Sequence, residues 1–325
     1  MISFFSNGMR TMTKTTTTKP RKRNGKSKAK ANRVDVHTRV TNRIIEQLEQ
    51  GIRPWLKPWD AEHAAGKITR PLRHNGVPYS GINILMLWDA AELQGFNCPL
   101  WVTYKQAMEL GGHVRKGEKS SPVVYYSSFK KTEKGEGGEE TERDVPFVKE
   151  YRVFNAQQCE GLPERFYEAK QSPNEGIEPV PQAIEFVRHT KAEVVDGGNR
   201  ACYVQSHDQI RMPRIESFQD TESHAATLTH ELVHWTKHPS RLDRDTGRKK
   251  WGDEGYAVEE LIAEMGSAFL CADLAITPEV RADHSDYIGN WLKVLKDDKR
   301  AVFSAASMAS KAVDYLHTLQ PAEEA

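Results

Sequence analysis

The five residues His230-Glu231-Leu232-Val233-His234 hold the donor types that hydrolytic metal chemistry needs. Helical positions four apart share a face, so the two imidazoles can close on one divalent ion. Neutral imidazoles at that spacing suit zinc, with manganese as an alternative ion. Glu231 stands beside them, where a carboxylate can serve as general base toward water, which makes it the candidate catalytic residue. A helix over 223–237 is predicted, with Thr221, Glu222 and Ser223 offering caps and Pro239 ending the run.

A chance pentapeptide would stand alone, but a second helix is predicted at a suitable distance, over 256–269. It places Glu260 and Glu264 on one face with the small residues Ala263 and Ser267, which would let it approach the histidine helix closely. A third carboxylate ligand gives three protein donors and leaves the fourth position open, as a catalytic zinc site requires. The pair resembles the gluzincin peptidases, in which a glutamate on such a helix is the third ligand and an acidic residue one turn later orients a ligand histidine. That resemblance favours Glu260 as metal ligand and Glu264 as its outer partner, with the reverse assignment open. His238 is a rival one turn further along, but Pro239 breaks the helix there and the spacing departs from HExxHxxGxxH. Glu259 reads as a solvated neighbour and Tyr256 as a candidate for holding an oxyanion.

The elements that must carry this site begin near Val34. Val36, Val40, Ile44, Ile45 and Leu48 recur at helical spacing, with Gly51 where a C-cap belongs. Further helices are expected from Gly81 through Leu93 and from Thr103 to Leu110. Strands are expected at Pro122 to Tyr126 and Tyr151 to Phe154, with Lys130 to Asp144 a charged, mobile loop between them. A Pro-rich stretch from Leu162 to Pro181 separates this unit from the next. Downstream, a helix over 183–189 is followed by two strands, Ala192 to Val195 and Ala201 to Val204. These read as a hairpin around Gly197-Gly198-Asn199, with a third strand at Gln209 to Met212.

At 325 residues, 38% of them hydrophobic and 28% charged, the chain is long enough for two cores. No apolar run approaches the roughly 18 to 20 residues needed to span a bilayer, and the N-terminus lacks a secretory apolar segment, so a cytoplasmic protein with no membrane partner is expected. The four cysteines form no paired spacing and read as reduced thiols. Net charge is only +1, yet residues 1–33 hold ten Lys or Arg and no acid. Such a segment cannot bury enough apolar surface to order itself, and reads as a disordered basic arm.

The first half is also rich in aromatic and basic residues set among loops, a mixture that suits single-stranded DNA, because bases stack on rings while cations track phosphates. The candidate DNA contacts are Trp55, Trp59, Arg70, Arg73, Tyr79, Asn83, Lys105, Arg115, Lys116, Lys119 and Tyr125. Taken alone, each ring could equally be core.

The motifs Arg53-Pro54-Trp55, Pro58-Trp59, Asn75 to Asn83, Trp101 to Gln106, Gly111 to Lys119 and Val123-Val124-Tyr125 resemble the N-terminal domain of the ArdC antirestriction proteins, which is shared with TraC-type plasmid primases. Asp208 to Pro213, His230 to Leu242 and Glu259 to Glu264 resemble the zincin-like domain of the same proteins. The resemblance implies an α+β fold of two domains. An N-terminal α+β domain over 34–160 would bind single-stranded DNA, and a gluzincin-type metallopeptidase domain over 182–318 would follow a linker at 161–181, with a tail at 319–325. It further implies a plasmid-borne factor that protects incoming DNA from host restriction during conjugation, with restriction-modification subunits as candidate partners. Two other functions fit the residues: a DNA-coating protein with a structural metal site, and a metallopeptidase with no nucleic-acid role.

Overall fold

The computed structural model of the protein describes residues 35–56, 68–134, 140–167, 179–247, 253–277 and 285–322. The basic arm over 1–33 and Trp59 lie outside the described residues.

Helix α1 (Val36–Glu49) starts where the Asp35 carboxylate accepts the Thr38 N–H, and it buries Val40, Ile44, Ile45 and Leu48 along one stripe. Helix α2 (Ile82–Gln94) ends at Gly95, whose left-handed conformation closes the last turn. A capping box between Thr103 and Gln106 opens the short α3 (Tyr104–Glu109). Around these helices run β1 (Leu72–Arg73), β2 (Leu100–Thr103), β4 (Ser121–Lys134) and β5 (Glu140–Asn155), in the order β1-β2-β5-β4. Strand β1 runs parallel to β2 and the other pairs are antiparallel. A separate pair joins β3 (His113–Val114) to β6 (Cys159–Glu160).

The second half opens with α4 (Pro179–Thr190), followed by β7 (Glu193–Asp196), β8 (Cys202–Val204) and β9 (Gln209–Met212). Then come α5 (Thr221–Trp235), α6 (Glu254–Leu274), α7 (Ser285–Asp297) and α8 (Ala301–Thr318). The last two helices were not anticipated from the sequence.

Two local expectations are corrected. Residues 130–134 and 140–144 are strand rather than loop: β4 and β5 stay in register out to Lys134 opposite Glu140, with Lys130 bonded across to Glu142. Charged residues on both faces hide such a ribbon from a search for apolar alternation, while cross-strand pairs of opposite charge sustain it. Nor do β7 and β8 form a hairpin. Strand β9 lies between them, parallel to β7 and antiparallel to β8. It takes the centre because Ile210 and Met212 are fully buried, whereas β7 and β8 bury little.

One hydrophobic core joins the two halves of the chain. Ile44, Leu48, Trp55 and Leu87 from the first belong to the same cluster as Leu232, Phe269, Trp291 and Val313 from the second. Helix α6 is buried on every side along nearly its whole length, Glu259, Glu260 and Glu264 included, so these carboxylates need partners inside the fold. A smaller cluster, including Val102, Ala107, Cys159 and Phe166, lies apart from it. The four cysteines are free thiols. Among the described residues no helix is long and apolar enough to cross a membrane.

Candidate metal centre

The site is built where α5 crosses α6. Helix α5 begins at Asp220, whose carboxylate accepts the Ser223 N–H at 2.7 Å, and from Ala225 to Trp235 it is buried throughout. Close approach depends on Gly266, where an added Cβ would come within 2.9 Å of Val233 Cγ1 and 3.0 Å of its Cγ2. Valine is stiff about χ1 and cannot swing away. One turn off, the Thr229 and Ser267 hydroxyls meet at 2.8 Å. Gly266→Val is therefore expected to lose about 3 kcal/mol of stability by overpacking. Urea unfolding tests this, and an unchanged midpoint would mean that the helices do not touch here.

This crossing brings His230, His234 and Glu260 together, with one donor atom from each lying within 4.8 Å of the others. His230 Nε2 is 3.7 Å from Glu260 Oε2, and His234 Nε2 is 3.6 Å from Glu260 Oε1. These separations are too long for direct hydrogen bonds. All three side chains are buried.

The far ring nitrogens are backed by two other carboxylates. His234 Nδ1 donates to Glu259 Oε1 at 3.0 Å, which leaves Nε2 as the ring atom that faces Glu260. His230 Nδ1 lies 3.9 Å from Glu264 Oε1. Glu264, the expected outer partner, thus stands behind His230, and Glu259 takes the same place behind His234. The reading of Glu259 as solvated is corrected, since it is only 2% exposed. Arg244 grips it from two nitrogens at 3.0 and 2.9 Å and also donates to Val233 O. Glu264 is held from the first half of the chain: Trp55 Nε1 donates to its Oε2 at 2.8 Å, with Arg53 Nη1 at 3.7 Å. Burial disfavours charge on His234, but Glu260 first and then Glu259 outweigh it and lift the ring to about 9. Burial likewise opposes the Glu259 carboxylate, yet His234 and Arg244 hold it down at about 2. Glu260 is also held well below the usual carboxylate range, the two histidines overcoming its burial.

Glu231 accepts the backbone N–H of Tyr203 on β8 at 2.9 Å, which fixes its carboxylate against the sheet edge. Tyr203 is fixed in turn, its hydroxyl donating to Asp208 Oδ1 at 2.8 Å while Arg241 binds both groups and stacks over Trp235. Asp208 and Arg241 enter the sequence reading only as parts of the motifs that resemble the family, and their pairing ties those motifs to the tyrosine that holds Glu231. Tyr256 is buried with its hydroxyl 3.0 Å from that of Tyr287. Burial, with Glu260 next, pushes that hydroxyl far above the ordinary tyrosine value, so it stays a donor. His238 turns away, its Nδ1 2.7 Å from Ser240 Oγ.

The expected DNA contacts divide sharply. Four are corrected, because the fold already uses them. Trp55 is fully buried against Trp291 and Glu264, so neither ring face can receive a base. Arg70 is buried in ion pairs with Asp273 and Asp314. Tyr79 is buried. The Asn83 amide spends both ends on the backbone of Val124, accepting its N–H at 2.8 Å and donating to its carbonyl at 2.9 Å. Arg73, Lys105, Arg115, Lys116, Lys119 and Tyr125 are exposed. Of these, Arg115 is paired with Glu118, Lys105 with Glu109, and Arg73 lies over Tyr79.

Comparison with known proteins matches residues 34–154 to the N-terminal domain of the anti-restriction factor ArdC, and residues 181–308 to a zincin-like metallopeptidase family. The protein y4eC of Sinorhizobium fredii is 35% identical, over 88% of this chain and 92% of the relative. The DNA primase TraC of Escherichia coli is 37% identical, but this chain spans only 27% of its length. Two crystal structures of antirestriction protein ArdC from plasmid R388 share 40% identity with this chain and cover 88% of it. The metal-free one has a TM-score of 0.74 and the Mn(II)-bound one 0.72. With the histidine and glutamate helices and the preceding domain matched together and in order, this chain belongs to the ArdC antirestriction family.

Proposed function

We propose that this chain protects incoming plasmid DNA from host restriction, binding single-stranded DNA through residues 34–160. On this reading residues 182–318 carry one divalent ion, zinc or manganese, in a peptidase-type hydrolytic centre. The observation that supports the metal is the pairing of nitrogens: both Nε2 atoms converge on Glu260 while both Nδ1 atoms are backed by carboxylates. Donors about 2.0 to 2.2 Å from a tetrahedral ion sit roughly 3.4 Å from one another, close to the 3.6 and 3.7 Å found between the imidazoles and Glu260. A carboxylate that accepts from the far ring nitrogen, as Glu259 does at His234, holds the ring as a metal-binding histidine requires, and Glu264 stands on the matching side of His230. His230, His234 and Glu260 would therefore hold the ion, with Glu264 and Glu259 outside them.

When bound, such an ion supplies Lewis acidity toward a peptide carbonyl and acidifies water. Glu231, fixed by Tyr203, would accept a proton from water and pass it to a leaving amine. Tyr256 keeps its proton and can donate to developing negative charge. Mn(II) in a solved relative supports a divalent ion here. Restriction-modification subunits are the candidate protein partners, by their relation to antirestriction.

Elemental analysis of the purified chain is expected to give one ion per chain. Stripping that ion with a chelator is expected to lower Tm by roughly 5 to 10 °C, and returning Zn2+ or Mn2+ should restore it, because an ion that binds only the folded state stabilises by mass action. Absence of a stoichiometric ion, together with no Tm response to either metal, would remove the metal reading.

A further inference from the structure

We infer that single-stranded DNA is received on one face of the β4–β5 ribbon, with Tyr125 and Tyr151 as stacking rings and Lys149 as their phosphate partner. This rests on the single-strand reading above and assigns it a surface. Val123, Tyr125 and Ser127 stand opposite Tyr151, Lys149 and Phe147, so these six side chains share a face. Tyr125 is 54% exposed, Tyr151 39% and Phe147 37%. The Tyr125 and Tyr151 rings meet edge to face at 6.3 Å, and the Lys149 ammonium lies 5.0 Å from the Tyr151 ring centre. Tyr151 and Phe147 stand about 13 Å apart along β5 with Lys149 between them, and Tyr125 lies across the ribbon from Lys149.

The opposite face of the ribbon is partly engaged by the rest of the fold, although Tyr126 there stays 49% exposed. Tyr126 packs on His37 and Phe303, and Glu150 pairs with Arg39 and Arg152. Charge is sorted the same way. Among the described side chains of β4 and β5, the open face carries Lys149 and Arg143 and no carboxylate. Glu142, Asp144 and Glu150 all stand on the closed one. Tyr125, Tyr151 and Phe147 grouped around Lys149 mark a contact surface, and rings joined to a cation select a polyanion that also offers flat bases. A duplex keeps its bases stacked and offers no such faces. An added protein strand at the base of β4 would meet the Asn83 amide, which already fills the backbone groups of Val124.

The test is fluorescence anisotropy of the full chain with a labelled oligothymidylate and a duplex of equal length, at two salt concentrations. Wild type is expected to prefer the single strand. Tyr125→Ala with Tyr151→Ala should weaken that binding by about tenfold or more per ring, whereas Tyr125→Phe with Tyr151→Phe should stay near wild type, since stacking needs the ring and not the hydroxyl. Lys149→Ala should lower the salt slope by about one. Tm and metal content serve as fold controls. Single-strand affinity of the alanine pair within twofold of wild type would overturn the proposal and assign the face to a protein instead. Equal wild-type affinity for duplex and single strand would overturn it as well. A wild-type chain that binds neither at low salt removes the single-strand reading itself, and this surface with it.

Discussion

Glu231→Gln is expected to abolish peptide cleavage while leaving the metal in place. The amide keeps the shape of the side chain and can still accept the Tyr203 N–H that now holds Glu231 Oε2 at 2.9 Å. It cannot take a proton from water. Loss of a positioned general base costs about 10²- to 10⁴-fold in rate, so turnover should fall below detection, whereas the three side chains proposed to hold the metal are untouched. Three probes are used: the chain itself, a fluorescein-labelled casein and purified restriction-modification subunits, each incubated with metal-loaded wild type and variant. Cleavage by wild type alone supports the hydrolytic reading. Equal cleavage by both would remove Glu231 from the chemistry. No cleavage of any probe by metal-loaded wild type would leave the centre a structural one, and the protein a DNA-coating factor.

How much of this was legible in the sequence depended on distance along the chain. His230 and His234 are one helical turn apart with Glu231 next to the first, and Glu260 and Glu264 are one turn apart, so helical periodicity alone placed each pair on a face. Glu259 was misread because the same periodicity puts it beside Glu260 at the rim of that face, and nothing in a helical wheel announces an arginine from a loop. Arg244 lies 15 residues away and Trp55 lies 209 residues from Glu264. Such partners are fixed by packing of the shared core, for which a single sequence carries no periodic signal. The failed DNA contacts have a related cause. Trp, Tyr and Arg serve buried packing and surface recognition alike, and only exposure separates Trp55 from Tyr125. The charged reach of the β4–β5 ribbon escaped notice because neither of its faces there is apolar, so the alternation that reveals a strand is absent.

Arg244→Met is expected to cost more stability than any other single change outside the core. Arg244 and Glu259 are 5% and 2% exposed, and the guanidinium meets the carboxylate from two nitrogens. Besides Arg244, Glu259 has the His234 ring at 3.0 Å and Lys237 at 3.9 Å. Removing the arginine leaves a buried carboxylate without its guanidinium partner, which costs about 3 to 5 kcal/mol. It also removes the Arg244 bonds to the Thr236 hydroxyl and the Val233 carbonyl, which keep their bond to each other, and so loosens the C-terminal end of the histidine helix. Metal retention should fall about 10- to 100-fold, the usual effect of losing a group that orients a ligand, when measured by competition with a chelator. A second substitution separates charge from packing. Glu259→Gln in the Arg244→Met background removes the unpaired charge yet keeps an acceptor for His234 Nδ1, so the double variant should be more stable than Arg244→Met alone. If the two are equally stable in urea, the arginine acts by filling space, and the carboxylate behind His234 needs no counter-charge to stay in place.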